Sequence, residues 1–271
     1  MIKKIINRIL LKKALLYNKR SSNKIVCYSD SIGVEIILNG FYEKTNLEIL
    51  KKTFEIKLKN STFLDIGANI GNHSLFFQSY FKKIVSFEPQ KQTFKILSIN
   101  TEKYDNIYTK NFGLDVENKK VKFYIPFDNN GMASPKIKHI NTYEENVELR
   151  KIDHNDYKNV GFIKIDVEGN ELNVLVSLSE LINQTLPVIS FELNQNISSR
   201  KKILDFLHSK GYSTFYVPYE YLYQKNRIRR LYASFFHNKL VKIDEKLLLD
   251  NSLSFTLVST FNRNSIFKLK V

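Results

Sequence analysis

The residues most able to do chemistry fall in three short stretches. The first is Leu64-Asp65-Ile66-Gly67-Ala68-Asn69-Ile70-Gly71-Asn72-His73, an acid and two glycines between an apolar run and a helical pattern. Gly67 lets the backbone turn tightly and approach a ligand, and Gly71 allows close packing at a helix start. The second is Phe87-Glu88-Pro89, with Glu88 placed 21 residues after Gly67. At that spacing a carboxylate can grip both hydroxyls of a ribose. A dinucleotide fingerprint reads G-x-G-x-x-G, so that a pyrophosphate rests on helix N–H groups. Here the pattern is D-x-G-x-x-x-G, and Asp65 would repel a pyrophosphate. An acid in that place suits a ligand with an ammonium group. S-adenosylmethionine carries an amino group and a sulfonium, so it is preferred to NAD as the cofactor.

The third stretch, Ile165-Asp166-Val167-Glu168-Gly169, ends another apolar run. Asp166 and Glu168 are two residues apart, so on an extended chain they point the same way. A sugar hydroxyl becomes a good nucleophile only when a base takes its proton. A carboxylate whose pKa is raised by burial can do this. Asp166 or Glu168 is therefore the candidate base, and the other would hold the donor's ammonium group. His73, just after the glycine-rich turn, is the rival base. Glu192 and Asn194, in F-E-L-N, are candidates for binding substrate hydroxyls. Lys164 interrupts a buried strand and is expected to pair with a site carboxylate. Glu171 reads as a first-turn acid that favours its helix. Asp153, His154 and Asp156 form a D-H-N-D cluster that reads as a polar loop, and no metal site is assigned. Cys27 is the single cysteine, which excludes an internal disulfide.

These residues must be positioned by the elements around them. From residue 61 onward, short β-rich runs alternate with helical patterns. Strands are expected over 62–67, 83–89, 106–112, 119–127, 145–152, 161–166, 187–193, 213–218 and 253–259. Helices are expected over 72–81, 91–103, 170–182 and 198–210. Such alternation predicts an α/β doubly wound sheet, mostly parallel, with helices on both faces. Right-handed crossovers put the strand C-termini along one edge, where ligands bind at the reversal of strand order. All three stretches end strands on that edge.

With the motifs in place, a family resemblance becomes specific. F-L-D-I-G-A-N-I-G-N-H-S-L, S-F-E-P, F-I-K-I-D-V-E-G-N-E-L-N-V-L and I-S-F-E-L-N occur in order and resemble the FkbM family of methyltransferases. The resemblance covers roughly residues 35–195, with N-G-F-Y-E (39–43) as a lead-in. It implies the class I methyltransferase fold, Rossmann-like with an antiparallel final strand, and S-adenosylmethionine as methyl donor. It also implies O-methylation, often of a sugar or polyketide hydroxyl. On matching positions it puts Asp65, Gly67, Ala68, Asn69, Gly71, Asn72 and Asp166 around the donor, with Glu88 on the ribose. Asn170 departs from the family, which often has alanine there, and K-I-D at 151–153 stands where T-L-D is usual.

Charge adds a second question. The 271 residues hold 42 Lys and Arg against 27 Asp and Glu, a net charge of +15. Eight basic residues and no acid lie within 1–29, and six basic residues and no acid within 221–243, so these two segments hold 14 of the 15 excess charges. The expected division is a basic N-terminal helical arm over 1–30 and a methyltransferase domain over 31–271. That domain carries a substrate-side insertion at about 219–251. The arm reads as a solvated helical lead-in or as a basic interfacial helix touching an anionic membrane. It lacks a signal-peptide pattern, which points to the cytoplasm, at its inner membrane surface if the arm binds there. The insertion interleaves Tyr219, Tyr221, Tyr223, Tyr232, Phe235 and Phe236 with Arg227, Arg229 and Arg230. Rings and arginines together suit a glycan, nucleotide-linked or lipid-linked acceptor. They would also suit RNA or DNA, the alternative acceptor. No N-P-P-Y or D-P-P-Y run follows the fourth strand, and I-D-V-E-G puts acids where a base would enter. A carbohydrate or glycoconjugate is therefore the expected partner. The connection around Gly131-Met132-Ala133-Ser134-Pro135-Lys136 is expected to shape substrate choice.

Overall fold

The apolar runs become strands buried on both faces, the pattern of a parallel sheet covered by helices. The computed structural model describes residues 12, 25–28, 30–54, 58–126, 142–193, 196–219, 222, 239–249 and 255–262. Two helices, α1 (Ser31–Asn39) and α2 (Lys44–Phe54), precede the alternating part. Then follow β1 (Thr62–Ile66), α3 (Asn72–Phe77), β2 (Lys83–Phe87), α4 (Lys91–Thr101) and β3 (Ile107–Lys110). After β4 (Gly113–Leu114), β5 (Lys119–Pro126) and β6 (Thr142–Arg150), the alternation resumes with β7 (Val160–Ile165). The rest is α5 (Glu171–Ser177), α6 (Ser179–Thr185), β8 (Val188–Leu193), α7 (Ile197–Ser209), β9 (Tyr212–Pro218), β10 (Leu240–Ile243), α8 (Glu245–Leu248) and β11 (Phe255–Asn262).

The main sheet has eight strands in the order β10-β9-β11-β8-β7-β1-β2-β3. Strands β3, β2, β1, β7 and β8 pair in parallel, while β11 runs antiparallel between β8 and β9. The chain moves outward from β1 to β3 and then returns to the other side of β1 as β7. The C-terminal ends of β1 and β7 are therefore the switch point.

Side-chain alternation splits the core in two. Leu64, Ile66, Val85, Ile163 and Ile165 pack with Val174, Leu181, Ile203 and Leu207 of the following helices. Phe63, Phe77, Phe81, Ile84 and Phe162 pack with Leu47 and Leu50 of α2. The Phe63 and Phe162 rings stack with centroids 4.8 Å apart. Asp65 and Lys164 are two residues beyond these rings, so they share the aromatic face.

The helix expected over 170–182 is interrupted: α5 ends at Ser177 and α6 starts at Ser179, with Leu178 fully buried between them. Two strands escaped the sequence pattern, as did the helices α1, α2 and α8. β4 has only two residues and is held by β6. β10, inside the expected insertion, pairs antiparallel with β9 and buries Leu240 and Ile243. Tyr212 and Phe215 of β9 are core residues, and the Tyr212 hydroxyl donates to Pro187 O at 2.7 Å. Most of the basic arm, the 131–136 connection and residues 223–238 lie outside the described residues. Of the arm's end, Val26 N donates to Asn100 Oδ1 and Asn100 Nδ2 donates back to Val26 O. No helix of the described residues is long and apolar enough to cross a membrane.

Candidate active site

A cleft opens at the switch point. Its walls include Gly67, Asn69, Glu88, Pro89, Gln90, Leu114, Phe123, Leu149, Asp166, Glu168 and Asn170. Two kinds of surface meet there. Leu114, Phe123 and Leu149 come from the small β4-β6-β5 sheet and supply an apolar wall. Asp166 and Glu168, after β7, supply acidic groups to the same cleft.

Three backbone conformations shape the first turn. Gly67, Asn69 and Gly71 all have positive φ, of 73°, 51° and 92°. A Cβ on Gly67 would lie 1.8 Å from Asp166 O, so only glycine lets the two turns touch. The turn then anchors Glu88. Its Oε2 accepts from Asn69 N and its Oε1 from Gln90 N, both at 2.9 Å. Burial pushes the Glu88 carboxyl up to about 7, against the pull of those two N–H groups. Each oxygen accepts one N–H and keeps a further lone pair, and Glu88 lines the cleft.

Other residues expected near the donor sit elsewhere. Asp65 is fully buried and lines no part of the cleft. Its Oδ2 accepts from Ser74 N at 3.1 Å and Ser74 Oγ at 2.6 Å, so it fastens the start of α3 to the sheet. Asn72 Nδ2 donates to Tyr42 O, and Asn72 Oδ1 accepts from Tyr42 N, which ties the lead-in helices to this turn. Ala68 donates its N–H to Phe87 O, and Gly71 packs on Leu97. These four residues build the turn from behind; Gly67, Asn69, Glu88 and Asp166 face the cleft.

Lys164 Nζ joins the two turns. It donates to Gly67 O at 2.7 Å and lies 3.6 Å from Asp65 Oδ1 and 3.3 Å from Asp166 Oδ2. Burial disfavours its charge, but Asp166 and Asp65 outweigh this and hold its pKa above the ordinary value. The expected pairing of Lys164 with a site carboxylate is thus present, with two partners rather than one.

Asp166, Glu168 and Glu192 bring carboxylate oxygens within 4.8 Å of one another. The pleat does not account for this. β7 ends at Ile165, and Glu168 and Gly169 take left-handed φ values of 47° and 93°, folding Glu168 back toward Asp166. Non-glycine residues in that region are strained and concentrate at functional sites. Glu192 is pushed up by burial, then by Asp166 and Glu168, and its proton bonds Asp166. Asp166, half-exposed, is held below its ordinary value by Lys164 and His73 despite desolvation. Glu168 is raised to about 7, first by burial and then by Asp166 and Glu171. His73 is lowered to about 4 by burial and by Lys164, so at neutral pH it is an uncharged imidazole and a weak base. Oxygen ligands so arranged could also hold a hard divalent cation, which the spacing of these residues in sequence did not suggest. Asn194 lies outside the described residues.

The D-H-N-D segment is a single 3₁₀ turn. Asp153 Oδ1 accepts from Asn155 N, and His154 Nδ1 is 2.6 Å from Glu180 Oε2. Asp115 was missed by the sequence reading. It is buried, with Oδ2 accepting from Asn170 Nδ2 at 3.1 Å and pairing with Lys119 at 3.3 Å. Its only sequence signal is an acid after the two-residue strand Gly113–Leu114, which is too short to register as an element.

A sheet of this order, with a glycine-rich turn and an acid-ended second strand at its switch point, defines a class I, Rossmann-like methyltransferase. Residues 65–214 match the model of the Methyltransferase FkbM domain, and the chain belongs to that family of S-adenosylmethionine-dependent methyltransferases. Among solved structures it is similar to the methyltransferase FkbM from Methylobacillus flagellatus KT, at 14% identity and a TM-score of 0.50. That match covers 93% of this chain and 58% of the other, so the chain spans less than two thirds of this relative. It is also similar to an rRNA methylase from Streptococcus thermophilus, at 10% identity and a TM-score of 0.44 over 82% of this chain and 94% of that one. No curated protein matches. The chemistry of the cleft lining fits S-adenosylmethionine: it offers a carboxylate anchored by two N–H groups, an apolar wall and further acidic groups.

Proposed function

We propose that the protein is an S-adenosylmethionine-dependent O-methyltransferase acting on a hydroxyl of a carbohydrate, free, nucleotide-linked or lipid-linked. One observation carries this reading: in the lining of the donor cleft, Glu168 stands with its carboxylate within 4.8 Å of those of Asp166 and Glu192, and Asp166 is paired with Lys164 at 3.3 Å. When bound, S-adenosylmethionine supplies an electrophilic methyl group whose bonding pair leaves with sulfur. Gly67, Asn69 and Glu88 would hold its ribose and methionine parts, and Leu114, Phe123 and Leu149 its base. Asp166 stays negative and faces the donor's ammonium. Glu168 accepts the proton of the acceptor hydroxyl, since a base titrating near neutrality is both free to act and strong enough. Glu192, protonated, bonds Asp166 and offers its other oxygen to a neighbouring sugar hydroxyl. His73 is a poorer base than Glu168, because burial and Lys164 leave it too weak.

Holding hydroxyl and methyl in line in a cleft shielded from water lowers the barrier without further covalent steps. The reading is tested in two stages. S-adenosylmethionine and S-adenosylhomocysteine, but not NAD, should raise the melting temperature. Mass spectrometry of surface glycans from a strain lacking the protein should then show a lost methyl group. If neither ligand shifts the melting temperature at millimolar concentration, the cofactor assignment fails. Steeply salt-dependent retention on immobilised RNA would move the acceptor to nucleic acid instead.

A further inference from the structure

Beside the donor cleft lies a second cavity, lined by Gly169, Asn170, Asn173, Ser198, Ser199 and Lys202 among others. It runs between the starts of α5 and α7 on the ligand edge of the sheet. Asn170 lines both cavities. Its amide nitrogen donates to buried Asp115 on the donor side, and its amide oxygen accepts from Asn173 Nδ2 at 2.9 Å on the other. Asn170 is thus held at both ends of its amide where the two cavities adjoin. Asn173 is held in turn by Asn170.

The two cavities differ in charge. The donor cleft carries Asp166 and Glu168. Among the described residues, the second is lined by amides, hydroxyls and the ammonium of Lys202, with no carboxylate. Amides and hydroxyls suit a polyhydroxylated ring. An anionic substituent on that ring would be repelled by the carboxylates of the first cavity and drawn to Lys202. This difference in charge favours one orientation for a sugar bearing such a group, with the anion at Lys202 and an uncharged hydroxyl toward the carboxylates.

We infer that the cavity between α5 and α7 is the acceptor subsite and that it takes an anionic sugar, whose negative group pairs with Lys202. This rests on the methyltransferase reading above and adds the charge class of its acceptor. The anion has two chemical sources, a phosphate ester or a uronate carboxylate.

The test is calorimetric titration of a hexose 1-phosphate and of a hexuronate, each compared with the neutral hexose, into full-length protein saturated with S-adenosylhomocysteine. At least one anionic sugar should bind more tightly than the neutral one. Lys202→Ala should weaken it about tenfold, the loss of one charge-assisted hydrogen bond, and Lys202→Arg should restore most of that. Which anion responds identifies the source. Affinity for S-adenosylhomocysteine should stay the same in both variants, because Lys202 does not line the donor cleft. The subsite is overturned if neither anion binds, if the neutral hexose binds as tightly, or if Lys202→Ala leaves the anion's affinity unchanged. A protein that fails to bind S-adenosylhomocysteine at all would overturn the methyltransferase reading itself, a different result in the same experiment.

Discussion

In the turn after β1, the polar side chains bond the protein's own backbone and hydroxyls; in the turn after β7, the carboxylates crowd one another. Asp65 holds Ser74, Asn72 holds Tyr42, and Glu88 holds the Asn69 and Gln90 N–H groups. Asp166, Glu168 and Glu192 instead share a space within 4.8 Å, with Lys164 as the cation beside them. Both turns are acidic and both use left-handed backbone, so composition alone does not separate them. The difference lies in what neutralises the acids. The first turn is a preorganised cradle whose charge is satisfied by the fold. In the second the acids face one another, with Lys164 3.3 Å from Asp166 as their cation, and such crowding of titratable groups in a cleft marks a candidate functional site.

The largest effect that could break this contrast is on turnover. Glu168→Gln should lower kcat by about 10²–10⁴-fold, the usual scale for a lost general base, while S-adenosylhomocysteine still binds in titration. Asp166→Asn should weaken donor binding as well, because it removes the fixed negative charge. If both variants transfer methyl normally, the second turn is not the reactive one. The mirror-image experiment acts on stability. Asp65→Ala removes an acceptor from Ser74 and a partner from Lys164, both buried, and should cost about 3–5 kcal/mol in urea unfolding. Asp65→Ala with wild-type stability would mean that the first turn is not held from behind.

Glycines sharpen the comparison at smaller scale. Gly67 and Gly169 both have positive φ. At Gly169 an added Cβ meets nothing within 4 Å, so Gly169→Ala should cost only the left-handed backbone term, about 1–2 kcal/mol. At Gly67 the same methyl meets the Asp166 carbonyl at 1.8 Å, and the two turns must separate. Gly67→Ala should therefore lower the melting temperature by several times as much and abolish donor binding. Equal melting temperatures for the two variants would deny the close contact between the turns.

Sequence showed the first turn more clearly than the second, for physical reasons. A glycine-rich turn between an apolar strand and a helix is a local signal, and Gly67 and Glu88 could be read from turn chemistry and spacing, whereas Asn69 came from the family resemblance. What Asp65 and Asn72 do was not legible. Their partners, Ser74 and Tyr42, are chosen by packing, and an acid near a ligand-binding turn looks the same whether it faces the ligand or the core. For Asp166 and Glu168, the strand pleat suggested the correct meeting for the wrong reason: they come together through left-handed backbone after β7 ends. Glu192 arrives from another strand, so its proton-sharing with Asp166 depends on sheet order, which single-strand patterns do not specify. β4 and β10 were invisible because each is too short to carry a period, yet β4 leads directly into Asp115.

The smallest predicted effect is a pH dependence, and its sign separates these acids from ordinary paired ones. Glu88 and Glu168 have folded-state pKa values of about 7, above the value near 4.5 expected when unfolded. At these two sites the folded chain therefore binds more protons than the unfolded one between pH 4.5 and 7; Glu192, also raised, adds to this, and His73, lowered to about 4, opposes it below pH 6.5 without cancelling it. Stability must then fall as pH rises through this window, the reverse of a salt-bridged carboxylate. Without ligand, the melting temperature should rise as pH is lowered from 8 to about 5.5. Glu88→Gln and Glu168→Gln should each flatten part of that slope. A donor analogue should act on the two unequally. Hydroxyls donated to Glu88 favour its charged form, so binding of S-adenosylhomocysteine near pH 6.5 should release protons, read from heats in two buffers of different ionisation enthalpy. Glu88→Gln should remove most of that release and Glu168→Gln little of it. If the mutations act the other way round, the ribose contact and the proton acceptor have been assigned to the wrong turns.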